Sequence, residues 1–566
     1  MRCILFSTIV TFVLAGLLLF TSWGKAILDM LQAYNSRPAR LTIGELGRSP
    51  RTHFHIRLLR ASEVLAWMFL EGLLAASVMG QTSSKINSQP DFAPVQALIE
   101  QKVANDRIPS ISVAVARDGN IVWEKGFGWA NWERHVAATE QSVYSLASVT
   151  KLMTASAIMV LHDRKQLDLD RSVNDYLGPA KLTSPVWNPS DATVRRVATH
   201  TAGLATYDNG YACRGGEADC QDVMIHRFGV LIWRPGERFD YSNLGYGVLG
   251  DVIRHVSGMR YGDFLRTQIL TPMGLTHCSV GVPPGLEEYG AQRYSVSDGS
   301  PADWSPNEPS SQEAASSVFC SAHDLVRFGM LQLNERLPEG NAVLSRSAIN
   351  EMRNSAVPAD NGLKYGFGWW HENRFGYKVM YVSGGYEYAS ALLFTIPSEK
   401  IVVVVLVNSG QGAVAQEVAD ETASALVSGY RDDQTSAAHR EQQRSVAAAN
   451  MLASLKGTWN GSIQTEAGEI PLMLSVDGSG ALNAAIASKP ATVRQGAEYR
   501  DGQLRAKISG ISGLYERDAK KALDLDLQLF LRPGGILNGG ATTVPLSQPE
   551  WGTVTYFVQL ITKQQK

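Results

Sequence analysis

Ser148 and Lys151 stand three positions apart in Tyr144-Ser145-Leu146-Ala147-Ser148-Val149-Thr150-Lys151, which runs directly into Leu152-Met153-Thr154-Ala155-Ser156-Ala157-Ile158-Met159-Val160-Leu161. The spacing puts a hydroxyl and an amine on one side of the first turn of a helix that is apolar on nearly every face, so the helix is expected to be central and buried. Burial and the positive end of the helix dipole both disfavour the ammonium form, so Lys151 is pushed towards a neutral amine able to take the serine proton. Backbone N–H groups at the same helix end can hold the charge that grows on an attacked carbonyl oxygen. Nucleophile, base and part of an oxyanion site would then come from one turn.

A Ser-x-x-Lys string by itself is weak, because a chain with this much serine and lysine produces such strings by chance. On this stretch alone, Ser148 could equally be a helix N-cap with Lys151 on a solvated face. Three further stretches supply context. Tyr241-Ser242-Asn243 is introduced by Pro235-Gly236-x-x-Phe239, and a loop tyrosine there could relay a proton if a lysine lowers its pKa. His200-Thr201-Ala202-Gly203-Leu204 reads as a structural turn with a buried histidine. Val382-Ser383-Gly384-Gly385 reads as an edge where small residues let a substrate lie along a strand, with N–H groups that could complete an oxyanion hole.

The elements that must carry these groups follow from periodicity. A helix is expected from about Phe92, with Val95, Leu98, Ile99 and Val103 on its apolar face, ending before Ile108-Pro109. A β-hairpin is expected over residues 110–123 with its turn at Asp118-Gly119. Helices are expected over 245–255, from Ser321 as N-cap with Asp324 at N3, and over 416–427. Residues 388–396 and 401–407 read as strands, the second an unbroken β-branched run and therefore central in its sheet. Strands from both ends of this region with helices between them give an α/β unit whose sheet joins residues about 300 apart. Gly245-Tyr246-Gly247-Val248-Leu249-Gly250 matches a dinucleotide fingerprint, but no apolar strand precedes it and it is set aside.

Beyond this unit the chain turns polar at 431–453, and from 454 short alternating runs separated by Asp-Gly turns read as a small all-β barrel. Ahead of it, residue 2 is arginine and 3–20 are uncharged, which is either a signal-peptide core or a short membrane anchor; a second apolar run covers 65–79, after Arg57 and Arg60. Both readings put the remainder outside the cytoplasm, periplasmic or extracellular. The expected division is a signal or anchor segment with linker at 1–90, an α/β domain carrying these motifs at 91–430, a linker at 431–453 and a β-barrel domain at 454–566.

Length and composition bound the classes. At 566 residues with 45% hydrophobic and 19% charged, the chain can bury a large core in more than one unit. A net charge of −2, with no basic patch interleaved with aromatics, excludes a general attraction to nucleic acid. No Cys-x-x-Cys or His-rich cluster has zinc-ligand spacing, so neither metal nor cofactor is expected. Five cysteines are too few for a disulfide scaffold. Cys213 and Cys220 either close a small loop or stand unpaired, and spacing leaves open whether Cys278 and Cys320 meet. The aromatics Trp369, Trp370, Tyr381, Tyr386 and Tyr388 are read as core before substrate platform.

The order Ser-x-x-Lys, His-Thr-x-Gly-Leu, Pro-Gly-x-x-Phe-x-Tyr-Ser-Asn and a small-residue strand resembles the serine beta-lactamase and penicillin-binding superfamily. It is most similar to the branch of class C beta-lactamases, D-alanyl-D-alanine carboxypeptidases, D-aminopeptidases and esterases. The resemblance spans about 92–429 and implies a beta-lactamase-like fold: an antiparallel sheet flanked by helices, with an all-helical subdomain. It also implies that Ser148 is acylated, that Lys151 and Tyr241 move protons, and that Asn243 binds the substrate amide. The N–H groups of Ser148 and Gly385 would form the oxyanion hole, in a strand that includes Ser383 and Gly384, while His200 is a fold residue. The substrate would be a small molecule or short peptide: an amide, a beta-lactam or an ester. The third motif departs from the family, since Val382 stands where lysine or histidine is usual, and Tyr388-Ala389 where Gly-Phe is frequent. The loss of that basic group disfavours carboxylate-bearing substrates, or points instead to a penicillin-binding sensor that acylates without efficient turnover. The C-terminal unit weakly resembles the lipocalin-like barrels that follow such hydrolase domains.

Overall fold

The computed structural model describes residues 90–562 apart from 106–107, 207–219, 283–284, 303–312, 336–341, 360–361, 431–451, 466–467, 495–496, 501, 512–522 and 546–553. The apolar runs at 3–20 and 65–79 and the polar linker at 431–451 lie outside the described residues, as does Cys213 of the Cys213/Cys220 pair. No described helix is long and apolar enough to cross a membrane.

The first strands among the described residues are β1 (Ser110–Arg117) and β2 (Asn120–Asn131), joined as expected at Asp118 and Gly119. Both turn residues take positive φ, 50° and 75°, as the tight hairpin loop demands. After β3 (Val136–Ala137) come β4 (Val143–Ser145), β5 (Cys278–Val280) and β6 (Val318–Ser321), which make a small separate sheet in the order β4-β6-β5. Cys278 and Cys320 face each other across β5 and β6 and are joined by a disulfide. The remaining strands of this part are β7 (Val357–Pro358), β8 (Lys364–Gly366), β9 (Trp369–Arg374), β10 (Tyr377–Tyr386), β11 (Ala389–Ile396) and β12 (Ile401–Val407). They complete an antiparallel nine-stranded sheet in the order β3-β2-β1-β12-β11-β10-β9-β8-β7.

The helices that frame the site are α1 (Ala93–Asn105), α2 (Thr150–Asp163), α3 (Asn243–Ser257), α4 (Ala322–Gln332) and α5 (Gly412–Leu426). The unbroken apolar run of β12 is explained by helices on both of its faces. Ile401, Val403, Val405 and Val407 pack with Val95 and Ile99 of α1 and Val414 and Val418 of α5, whereas Val402, Val404 and Leu406 belong to the core built on α2 and α4. Every residue of α2 from Thr150 to Leu161 is buried, including its polar ones. Its four consecutive residues Ile158, Met159, Val160 and Leu161 are at most 1% exposed, and burying such side chains stabilises the fold by about 1.5–3 kcal/mol each. The Ser321 hydroxyl caps α4 by accepting from the Asp324 N–H at 3.1 Å, as expected. Helix α5 starts at Gly412, four residues before the expected start, because its first turn adds an alanine and a valine to the same buried face.

After a 3-10 turn at Leu452–Leu455, the elements described in the C-terminal part are strands: β13 (Gly457–Thr465), β14 (Gly468–Val476), β15 (Leu482–Ile486), β16 (Lys489–Val493), β17 (Glu498–Arg500), β18 (Gln503–Ile511), β19 (Leu523–Arg532), β20 (Ile536–Pro545) and β21 (Thr555–Thr562). The order β16-β15-β14-β13-β21-β20-β19-β18, with β16 also paired to β18, closes an eight-stranded barrel, and β17 hangs from β18 as a hairpin. Leu525, Leu527 and Leu529 alternate into its interior, as a closed barrel requires. The architecture is thus the antiparallel sheet flanked by helices that was expected, followed by a separate barrel.

Candidate active site

Ser148 does not open α2 itself. It lies in a 3-10 turn, Ala147–Val149, that leads into the helix, and the residue before it, Ala147, holds φ at 43°. An alanine in this left-handed region is strained, and the strain is maintained by the packing of Leu146 and Val149, both fully buried. The consequence is a sharp entry that leaves Ser148 partly exposed while its neighbours on either side are covered.

Lys151 Nζ lies 2.9 Å from Ser148 Oγ and donates to the Ala315 carbonyl at 3.0 Å. The lysine is completely buried, and burial lowers its pKa to about 7. With the amine neutral, one N–H still reaches Ala315 O, while the lone pair is available to the Ser148 O–H. The amine also sits 4.9 Å from the centre of the Tyr241 ring and 5.7 Å from that of Tyr246. Removal from water is the cause of that shift.

Tyr241 is held by the head of α3 and by the turn at His200. Ser242 caps α3, accepting from Gly245 N at 2.8 Å and donating to Ala205 O at 2.5 Å. The Ser242 N–H donates to His200 Nδ1 at 3.0 Å, the Asp240 N–H to His200 O at 2.8 Å and the Asn243 N–H to Thr206 O at 2.8 Å. Residues 240–243 are therefore stitched along residues 200–206, with His200 in the left-handed region at φ 57°. The His200 ring is enclosed by Phe239, Tyr241, Tyr246 and Tyr365, and burial together with the Lys151 charge holds it well below the usual imidazole range. It is a neutral packing residue, as expected. Tyr241 in turn stacks on Trp370, centroids 6.4 Å apart and planes within 8° of parallel.

The third stretch, expected at an edge, lies in the interior strand β10, where residues 382–386 run beyond its pairing with β9. Ser383, Gly384 and Gly385 belong to β10 and pair with Leu392, Ala391 and Ser390 of β11. Alternation turns Val382 and Gly384 to the buried side and Ser383 and Gly385 to solvent. A side chain at Gly384 would meet Leu146 O and Ser148 N, so β10 passes directly against the serine turn. Val382, on the same face, is 3% exposed and joins the apolar core instead of presenting a charge.

The structure thus brings Ser148, Lys151, Tyr241 and the β10 strand to one place and puts Asn243 at the first position of α3, next to Tyr241. Asn243 Oδ1 is buried with no hydrogen-bond partner. Sequence reasoning missed Ala315, Tyr365 and Tyr246, and placed Trp370 in the core with its neighbour. Trp369 is fully buried as expected, but Trp370 is only partly covered and faces Tyr241. A Trp-Trp pair in a strand has its two rings on opposite faces, which was the available signal. Among the described residues one group has metal-ligand composition, Asp222, Asp251 and His255. The Arg254 guanidinium lies among them, 2.7 Å from Asp251 Oδ1 and 3.0 Å from His255 Nε2, and already supplies positive charge there.

Comparison with known proteins places the chain by family and by fold. A family model described as Beta-lactamase matches residues 95–427. Protein flp of Staphylococcus aureus is 24% identical over 318 residues, 56% of this chain and 62% of that protein, so the chain matches less than two thirds of that relative's length. Penicillin-binding protein 4 of Amycolatopsis lactamdurans is 29% identical over 342 residues, 56% of this chain and 86% of that one. Among solved structures, the octameric penicillin-binding protein homologue from Pyrococcus abyssi aligns with a TM-score of 0.53 at 22% identity, covering 83% of this chain and 100% of that one. A class C beta-lactamase aligns at 0.50 with 19% identity, over 59% and 97%. These structural likenesses concern the fold.

Proposed function

The chain belongs to the beta-lactamase family, a family of serine hydrolases, and from that premise we propose that it works through an acyl-enzyme on Ser148. The observation that carries the reading is the fully buried Lys151, neutral above about pH 7, with its amine 2.9 Å from Ser148 Oγ. Lys151 takes the hydroxyl proton as Oγ attacks the substrate carbonyl, and the N–H groups of Ser148 and Gly385 hold the oxyanion. Tyr241 passes a proton to the leaving group, whose bond to the carbonyl carbon then breaks. In the second half, water bonds the carbonyl carbon and gives a proton to the same pair, the bond to Ser148 Oγ breaks, and Oγ takes its proton back. Asn243, whose buried carbonyl oxygen lacks a partner, accepts from a substrate N–H; an unpaired buried acceptor costs about 1–3 kcal/mol until a ligand satisfies it.

Val382 determines the substrate class. An apolar, buried residue at that point offers no cation to a carboxylate, which favours small esters or amides without that anion over beta-lactams and D-Ala-terminated peptides. The same residue supports a second reading, a penicillin-binding sensor in which the adduct persists. A fluorophosphonate or labelled penicillin should modify the parent and not Ser148→Ala, and a short-chain nitrophenyl ester should be turned over only by the parent. Full activity in Ser148→Ala ends the acyl-enzyme reading, and a stable adduct without turnover favours the sensor. We place the protein outside the cytoplasm, a reading supported by the Cys278–Cys320 disulfide and by the apolar run at 3–20, which could also tether it to a membrane.

A further inference from the structure

Tyr241 lies at the end of a loop whose other end is gripped by the barrel. Trp233 is 3% exposed, and its indole N–H donates to Asp240 Oδ2, on the residue just before Tyr241. The edge of its ring meets the barrel: Phe530 of β19 stands against it edge-to-face with centroids 5.6 Å apart. Gly539 of β20, three places along the β19–β20 hairpin, supplies the socket. A Cβ there would stand 2.2 Å from Gln528 O of β19 and 2.4 Å from the indole. The Arg238 guanidinium covers both rings, 4.7 Å from the centre of Trp233 and 5.3 Å from that of Phe530. Arg532, at the end of β19, forks onto both carboxylate oxygens of Glu237, and its Nε donates to Asn538 Oδ1 at 2.8 Å. Three of the loop's residues between 233 and 238 therefore have their side chains fixed by one barrel hairpin.

We propose that the β19–β20 hairpin is a positioning element for the reaction: through Trp233, Glu237 and Arg238 it sets the path of residues 233–240 and so the place of the Tyr241 phenol over Lys151. The inference rests on the role given above to Tyr241. The alternative, that the barrel only covers an apolar face, would not need a bidentate charge pair on that loop. Backbone hydrogen bonds tie the loop to the 200–206 turn at Trp233 (to Gly203 O), Gly236 (to Thr201 O) and Asp240 (to His200 O), and the hairpin adds a grip on its side chains. Phe530, Arg532 and Gly539 touch no reacting atom; they act through Trp233 and Glu237.

The test uses the full chain carrying Phe530→Ala with Arg532→Glu. Amide hydrogen exchange over 234–243 should quicken, while exchange in α2 stays as in the parent. With a nitrophenyl ester, kcat should fall about tenfold or more, since small misplacements of a reacting group cost this much, while KM moves less than about threefold. In a Tyr241→Phe background the same pair of substitutions should cost almost nothing further, because the two changes act on one group. Arg532→Glu alone, at a partly exposed position that leaves the packing intact, should show a smaller change of the same sign. Unaltered exchange over 234–243 overturns the proposal, and so does an equal loss of kcat in both backgrounds. Failure of the acyl-enzyme reading would show separately, as activity surviving Ser148→Ala, and leaves the exchange measurement to decide the grip itself.

Discussion

Gly384 lies against Ser148 so closely that a Cβ at Gly384 would stand 2.6 Å from the Ser148 nitrogen and 2.2 Å from Leu146 O. Both neighbours are backbone and cannot move aside as a flexible side chain would. Gly384→Ala should therefore push β10 from the serine turn and reduce ester turnover by about a hundredfold or more, the scale of losing an oxyanion donor. Gly385→Ala, whose nearest non-neighbouring atom would be Ala389 O at 3.6 Å, keeps its N–H and should stay within about threefold. Steady-state kinetics of the two variants, with thermal unfolding alongside, separates the positions.

The rate of acylation should rise with pH through about 7, because Lys151 must lose its proton to accept that of Ser148 and burial lowers its pKa to about 7. Stopped-flow release of nitrophenolate in the first turnover reads this limb directly. A flat profile between pH 6 and 8 would remove Lys151 from the base role.

Lys151 should also leave a mark on stability. In the unfolded chain it holds its proton to about pH 10.5, in the folded chain only to about 7. Its folded pKa is depressed, so between these values the unfolded state binds the extra proton and stability rises with pH, by about 1.4 kcal/mol per unit from this residue. Below about pH 7 both states are protonated and the penalty is constant. Lys151→Met, of similar length and without charge, should lose turnover yet unfold at higher urea than the parent at pH 7. The gap should narrow towards pH 9.

Val382→His should shift preference towards substrates bearing a carboxylate. The side chain at 382 shares the face of Gly384 and is buried, so a ring there would point towards the serine turn. The ratio of kcat/KM for a D-Ala-terminated peptide to that for an uncharged ester should increase by about tenfold, as one charge-assisted hydrogen bond would give. An unchanged ratio would detach substrate choice from this residue.

The parts of the site that depend on local spacing were legible in the sequence. Ser148 and Lys151 are one helical turn apart, Tyr241 and Asn243 flank a capping serine, and β12 announces its central position by seven apolar residues in succession. What was not legible depends on groups brought from far along the chain. Ala315 O, which orients the Lys151 amine, comes from 164 residues away. Tyr365 and Trp370 enter through the β8–β9 turn. Neither the positive φ of Ala147 nor the disulfide between Cys278 and Cys320 has a local signal, since each is imposed by what packs around it. Strand β20 carries two glycines in mid-strand, which weakens any strand signal, and the structure gives their reason: Gly539 and Gly540 leave room for Trp233 and Ile232.

The first hairpin of the hydrolase part is fastened to the last strand of its sheet: the Ser110 N–H reaches Asn408 Oδ1, 298 residues along. A chain growing from its N-terminus thus exposes the β1 edge until β12 has been made, and the floor on which α2 rests is assembled last. Folding of this part should therefore be late and slow, with a loop of that length to close before the β1–β12 pairing is gained. An apolar edge left open for so long invites pairing with another copy, so yields of soluble protein should respond strongly to chaperones and to the rate of synthesis.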